Sequence, residues 1–208
     1  MKKNRFKKIF ILLCIIILFI IYISVDKEYK YKIMDQDLYR NNKIIVSNVV
    51  DFKIDQFYDN SNYLLTIESI NKNQKDLNVI YGNYFKIYRM EDNQFKLIYK
   101  NDLTKVKPWE IDSGKIDDDA MMDIFIGTIT KTEYYPKEKR PFFFNWNGKY
   151  LTRKWTGSYI GVKPLVSIEL IDFDSDGIDE IKKKEKLKSG KYHYSFFEWG
   201  NFGFYKID

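Results

Sequence analysis

DFDSDGIDEI, residues 172–181, sets Asp172, Asp174 and Asp176 at alternate positions, follows them with Gly177, and runs on into an apolar segment. The same ten-residue pattern occurs twice earlier, as KIDDDAMMDI at 115–124 and, more degenerate, as QFYDNSNYLL at 56–65. The three align without gaps, and their starts are 59 and 57 residues apart. Each precedes an aromatic hairpin: YFKIYRMEDNQFKLIYK at 84–100, PFFFNWNGKYLTRKW at 141–155, and YHYSFFEWGNFGFYK at 192–206. A tandem unit of this length, holding about four strands, is the signature of propeller blades. The expected fold is therefore all-β, with about three four-stranded propeller-type blades, open or compact, after an N-terminal transmembrane helix.

Outward from the acidic loops, the apolar pattern from Ile44 onward has period two. Strand-like runs are IIVSNVVDF (44–52), YLLTIES (63–69), NYFKIYRM (83–90), QFKLIYK (94–100), DIFIGTITK (123–131), RPFFFNW (140–146), KYLTRKW (149–155), LVSIELI (165–171), HYSFFEW (193–199) and FGFYKI (202–207). Asn, Asp, Gly and Pro separate them, and Asn147-Gly148 and Gly200-Asn201 suit short hairpin turns. No ten-residue helical pattern survives in this region. Residues 26–43 are polar and weakly patterned, as in a short tether or a first irregular strand.

Ahead of them, residues 9–25 (IFILLCIIILFIIYISV) carry no charge, a length at the short end of a spanning helix. Lys2, Lys3, Arg5, Lys7 and Lys8 precede this run, which favours a cytoplasmic N-terminus and an outward-facing remainder. A signal-anchor is favoured over a cleaved signal, because Tyr22 is too large for the −3 position before a cut after Ser24. The expected organisation is a basic cytoplasmic segment at 1–8, the membrane helix at 9–25, a tether at 26–43 and a repeat domain at 44–208. The formal charge of +6 (35 Lys+Arg, 29 Asp+Glu) divides accordingly: residues 26–208 hold 30 bases and 29 acids. That near-neutral balance argues against a nucleic-acid partner. Cys14 is the single cysteine, so no disulfide within the chain and no thiolate metal cluster is available.

Chemistry concentrates in the third acidic loop. Asp172, Asp174 and Asp176 stand at positions one, three and five with Gly177 at six, the spacing that lets alternate carboxylates converge on a calcium ion around a sharp turn. The Ile178 carbonyl and Glu180 would complete the shell, and an oxygen-only donor set favours Ca²⁺ over zinc or copper. The competing reading is an Asp-rich turn held by side-chain-to-backbone bonds alone. In the second loop Lys115 stands at position one facing Asp117, Asp119 and Asp123, where an ammonium would satisfy them without metal. In the first, Gln56, Tyr58, Asn60 and Leu64 replace the ligands, so one Ca²⁺ of structural role is expected rather than three.

The acidic loop, Ile-Phe-Ile-Gly at 124–127, and hairpins of the type Asn-Trp-Asn-Gly (145–148) and Glu-Trp-Gly-Asn-Phe-Gly-Phe (198–204) resemble the FG-GAP/VCBS repeats of integrin-α-like β-propellers in bacterial surface proteins. The resemblance covers most of residues 44–208. It implies metal binding by Asp172, Asp174, Asp176, Ile178 and Glu180. Three repeats are fewer than the four or more blades of a closed propeller. They fit an open or compacted stack, or one completed by residues 26–43 or by a second chain.

His193 is the lone histidine, and the chain has no G-x-S-x-G, phosphate loop or H-E-x-x-H, so no catalytic site is expected. Trp109, Trp146, Trp155 and Trp199 read as inter-blade core, with sugar stacking as the sharper alternative. KKKEKLK at 182–188 reads as a charged edge strand that blocks sheet pairing, or as a contact for an anionic polymer or lipid headgroups. Together these features describe a single-pass cell-membrane protein with an extracytoplasmic module that displays loops to a protein or glycan. An accessory subunit of a membrane complex, and less favourably a cell-envelope hydrolase, are the alternatives.

Overall fold

Among the described residues, alternation of apolar and polar residues produces seventeen strands and no α-helix. The computed structural model describes residues 30–57, 59–131, 133–156, 159–161, 164–200 and 202–207. The basic segment at 1–8 and the apolar run at 9–25 lie outside them, and no helix of the described residues is long and apolar enough to cross a membrane.

β1 (Tyr31–Met34), β2 (Asp37–Arg40) and β3 (Lys43–Ser47) form a three-stranded antiparallel meander. β4 (Val49–Gln56) and β5 (Asn62–Glu68) start a four-stranded sheet. After a small hairpin of β6 (Lys75–Asp76) and β7 (Val79–Ile80), β8 (Tyr84–Glu91) and β9 (Gln94–Asp102) complete it. A second four-stranded meander joins β10 (Pro108–Gly114), β11 (Met122–Thr130), β12 (Glu138–Trp146) and β13 (Leu151–Thr156). The third joins β14 (Leu165–Ile171), β15 (Glu180–Lys186), β16 (Tyr192–Gly200) and β17 (Gly203–Ile207). The all-β expectation holds, and each acidic loop connects the first two strands of one four-stranded sheet.

Residues 31–43, expected within a tether or irregular strand, are instead paired strands. Their turns are made by Asp35-Gln36 (φ 50° and 61°) and Asn41-Asn42 (φ 50° and 67°). Two successive positive φ angles match the twist of a tight hairpin. The run 44–52 is also two strands rather than one. Asn48 sits at φ 60°, a left-handed backbone that asparagine tolerates, and there β3 leaves one sheet and β4 enters the next.

Successive sheets pack face to face. Leu38 and Val46 of the three-stranded sheet close over Val49 and Leu64 of the next. Leu65, Ile67, Phe85 and Ile87 then meet Ile111, Ile124, Ile126 and Trp146. Phe125 and Phe143 meet Ile168, Leu170, Ile181 and Phe197, with Trp109, Trp155 and Trp199 packed against them. All four tryptophans thus join the inter-sheet cores. Trp155 and Trp199 both contact Phe204 edge-on, with ring centroids 5.3 and 4.9 Å apart.

The first strands β4, β10 and β14 lie side by side and are joined by carboxylates. Asp51 accepts a hydrogen bond from the Ile111 N–H at 2.9 Å, and Glu110 accepts one from the Ile168 N–H at 3.3 Å. Residues 51 and 110 align through the repeat, so the same bond recurs from one sheet to the next. Asp112 adds a bond from the Leu170 N–H at 2.9 Å and an ion pair with Lys53 at 2.6 Å. Burial pushes the Asp51 carboxyl up to about 6 and raises Glu110 well above the usual carboxylate range.

Candidate metal-binding loops

The three acidic loops occupy equivalent places between the first two strands of their sheets. They differ in backbone, with positive φ at Asn60 in the first and at Ser175 and Gly177 in the third, and in what neutralises their carboxylates. In the third loop Asp172, Asp174 and Asp176 each offer a carboxylate oxygen within 4.8 Å of the others. Backbone bonds shape the turn. Asp172 accepts from the N–H groups of Asp176 (3.1 Å) and Gly177 (3.0 Å), and Asp176 accepts from the Ile178 N–H at 2.8 Å. Gly177 has φ 88°, with nothing near where a Cβ would stand, so the position asks for glycine through its backbone angle alone. Glu180, at the start of β15, is 3% exposed and accepts from the Phe173 N–H at 2.8 Å. Burial, with Asp174 and Asp176 nearby, raises its pKa. Among the described residues no Lys or Arg pairs with Asp172, Asp174 or Asp176.

The second loop also gathers three carboxylates, at its third, fifth and ninth positions rather than its first, third and fifth, and has a cation built in. Asp117, Asp119 and Asp123 also converge within 4.8 Å, and Asp123 accepts from the Ile116 N–H at 2.9 Å, the counterpart of the Glu180–Phe173 bond. Into the cluster reaches Lys154 from β13. Its Nζ lies 2.5 Å from Asp117, 2.7 Å from Asp123 and 3.7 Å from Asp119, with the side chain 6% exposed. Burial alone would lower this ammonium, but its bonds to Asp117 and Asp123 outweigh that and hold its pKa above the ordinary lysine value. Burial pushes Asp123 up to about 6 against the pull of Lys154. Asn145 Nδ2 donates to Asp119 at 2.8 Å and Asp123 at 3.2 Å.

Lys115, the cation that its place at position one leads one to expect here, does not reach the cluster. Its Nζ pairs with exposed Asp118 at 3.3 Å, while its backbone is claimed by the third loop. The Lys115 N–H donates to Asp179 Oδ2 at 2.7 Å and the Asp179 N–H to the Lys115 carbonyl at 2.6 Å. The first loop departs furthest. Leu64, at the position of Asp123, is buried in the core beneath β1–β3, and Arg89 of β8 pairs with Asp59 at 3.0 Å. Tyr58 lies outside the described residues.

No protein-family model matches the chain, and no curated protein does. The loops therefore rest on their own geometry. That geometry adds residues the sequence pattern did not single out: Lys154, 31 positions beyond Asp123, and Glu198 of β16. Glu198 lines a cavity of about 280 Å³ together with Asp176, Glu180 and Tyr205, and accepts a hydrogen bond from the Tyr205 hydroxyl. Extending the pairing of Ile181 with Phe197 by one step sets Glu198 opposite Glu180, as Asn145 is opposite Asp123. The third loop thus gains a carboxylate where the second has an amide. His193 is exposed on β16 and makes no polar contact among the described residues.

The donor set fits a hard divalent cation. The three converging carboxylates are oxygen donors that keep lone pairs beyond their backbone bonds, while Glu180, whose carboxylate accepts from the Phe173 N–H, is not among the groups that converge. A cation bound there would neutralise like charges and tie β14 to β15.

Proposed function

We propose that the chain is a membrane-anchored, extracytoplasmic binding module. In this reading the three four-stranded meanders are FG-GAP/VCBS-like, propeller-type blades, stacked open and capped at one end by β1–β3. One Ca²⁺ in the loop at 172–180 pins the last blade, held by Asp172, Asp174, Asp176, the Ile178 carbonyl and Glu180. The observation that carries it is the contrast between equivalent loops: Lys154 neutralises the second and Arg89 pairs in the first, whereas the third gathers carboxylates with no cationic side chain. The metal's role is structural. At millimolar calcium and a dissociation constant near 10⁻⁴ M, linkage stabilises the fold by about 1.4 kcal/mol.

Melting the chain in calcium and in a chelator tests this reading. Calcium should raise the melting temperature of the wild type and leave Asp174→Ala unmoved. A wild type that melts identically in both buffers would remove the metal from the account. Protease treatment of intact cells tests the orientation: the repeat domain should be cleaved from outside, and its protection would overturn the outward-facing placement.

A further inference from the structure

Strand β15 carries the lysine-rich run, and it is a central strand, paired with β14 on one side and β16 on the other. The run therefore protects no sheet edge, contrary to the expectation for 182–188. Because side chains alternate across a strand, it divides between two faces. Ile181, Lys183 and Glu185 turn toward the preceding sheet, where Lys183 and Glu185 form a buried ion pair at 2.9 Å. Lys182, Lys184 and Lys186 turn to the opposite, outer face of the last sheet.

On that face each lysine stands opposite an aromatic residue of β16: Lys182 opposite Phe196, Lys184 opposite Tyr194, and Lys186 opposite Tyr192. Lys184 Nζ lies 4.5 Å from the Tyr192 ring centroid and 5.9 Å from that of Tyr194. Lys182 Nζ is 5.5 Å from Tyr194 and pairs with Glu169 at 2.8 Å. Lys184 and Lys186 pair with no carboxylate among the described residues. Tyr192 and Tyr194 are 56% and 48% exposed.

The occupant follows from that chemistry. The other inter-sheet faces are largely apolar and the charges they bury are paired, as Lys183 is with Glu185, whereas a further sheet or a second copy stacked here would have to desolvate Lys184 and Lys186, which pair with no carboxylate among the described residues. Lysines two apart on a strand are spaced about 7 Å, in a single row flanked by exposed rings. A linear polymer with regularly spaced anionic groups matches the row, and rings of sugar units match the tyrosine faces. We propose that the outer face of β14–β17 binds an extended acidic polysaccharide, with Lys184 and Lys186 on its anionic groups and Tyr192 and Tyr194 against its sugar rings. This rests on the reading of the domain as a binding module and names its ligand class; it does not depend on the calcium site.

Titrating the full chain in non-ionic detergent with polygalacturonate, dextran and polyacrylate tests the proposal. The expected result is salt-sensitive binding of polygalacturonate, weaker binding of sugar-free polyacrylate, and none of neutral dextran. Lys184→Ala/Lys186→Ala and Tyr192→Ala/Tyr194→Ala should each weaken polygalacturonate binding at least tenfold at unchanged melting temperature, while Lys32→Ala on β1 leaves it unaltered. Equal affinity for polyacrylate, or tyrosine variants that bind as the wild type does, would overturn the sugar assignment. Binding to phosphatidylglycerol in mixed detergent micelles that exceeds polygalacturonate binding and is lost in Lys184→Ala/Lys186→Ala would reassign the face to a membrane surface. Cross-linking on intact cells keeps the broader reading separate: a protein partner captured there, with no polygalacturonate binding, overturns this proposal and leaves the binding module in place.

Discussion

Replacing Lys154 with methionine should convert the second loop into a calcium site. Methionine keeps most of the aliphatic stem that packs near Trp199, whose ring lies 5.4 Å from Nζ, and removes only the ammonium. What remains is Asp117, Asp119 and Asp123, with Asp123 fully buried. Taking one partner from a buried charge pair costs about 3–5 kcal/mol. In a domain of this size that lowers the melting temperature by about 10 °C in a chelator. Calcium should then offset the loss, by about 1.4 kcal/mol at ten times the dissociation constant and about 2.7 kcal/mol at a hundred times. Calorimetric titration should count one more site in Lys154→Met than in the wild type. Adding Asp123→Asn should restore stability without metal, because the buried charge is gone. If Lys154→Met melts like the wild type and binds no additional calcium, the ammonium is not the cation substitute that the argument requires.

Arg89→Met supplies the contrast: its pair with Asp59 is partly exposed and Leu64 offers no ligand, so the change should cost at most about 1 kcal/mol and leave calcium stoichiometry unaltered. A pH series should show the domain gaining stability on mild acidification. Asp51 titrates near 6 in the fold against 3.8 unfolded, so its contribution is fully present below 3.8 and is lost as pH rises through about 6, at up to about 1.4 kcal/mol per pH unit. Asp51→Asn should flatten that slope, and an unchanged slope would reject the assignment. Gly82→Ala should destabilise by about 1–3 kcal/mol, because its Cβ would sit 2.5 Å from Ile67 Cγ2 and 2.8 Å from the Glu68 carbonyl oxygen; thermal melting reads the loss.

The repeats were legible because alternating carboxylates and period-two strands are local patterns, and most strands from β5 onward fall within a residue or two of their apolar runs. β10 escaped because PWEIDSG interleaves acids with its apolar residues; Glu110 and Asp112 are there to accept N–H groups from the next sheet, a demand invisible within one strand. β1 and β2 escaped because their turns use Asp-Gln and Asn-Asn where a glycine would have announced a hairpin. In the site, the three aspartates and Gly177 could be read from spacing alone. Lys154 could not, since β13 reaches the Asp117–Asp123 cluster only through the folded meander. The ammonium that pairs with these carboxylates belongs to Lys154, whereas adjacency in sequence points to Lys115, whose backbone is held by Asp179. The lysines at 182–186 looked like an edge because charge is common there; strand order, which spacing does not encode, makes them a face.

Calcium stoichiometry is the most direct test of the claim that one loop in three takes a metal because the others are neutralised by their own side chains. Isothermal titration of the wild-type chain should give one site, and Asp174→Ala should give none. Two or three sites in the wild type, or a site that survives Asp174→Ala, would contradict it.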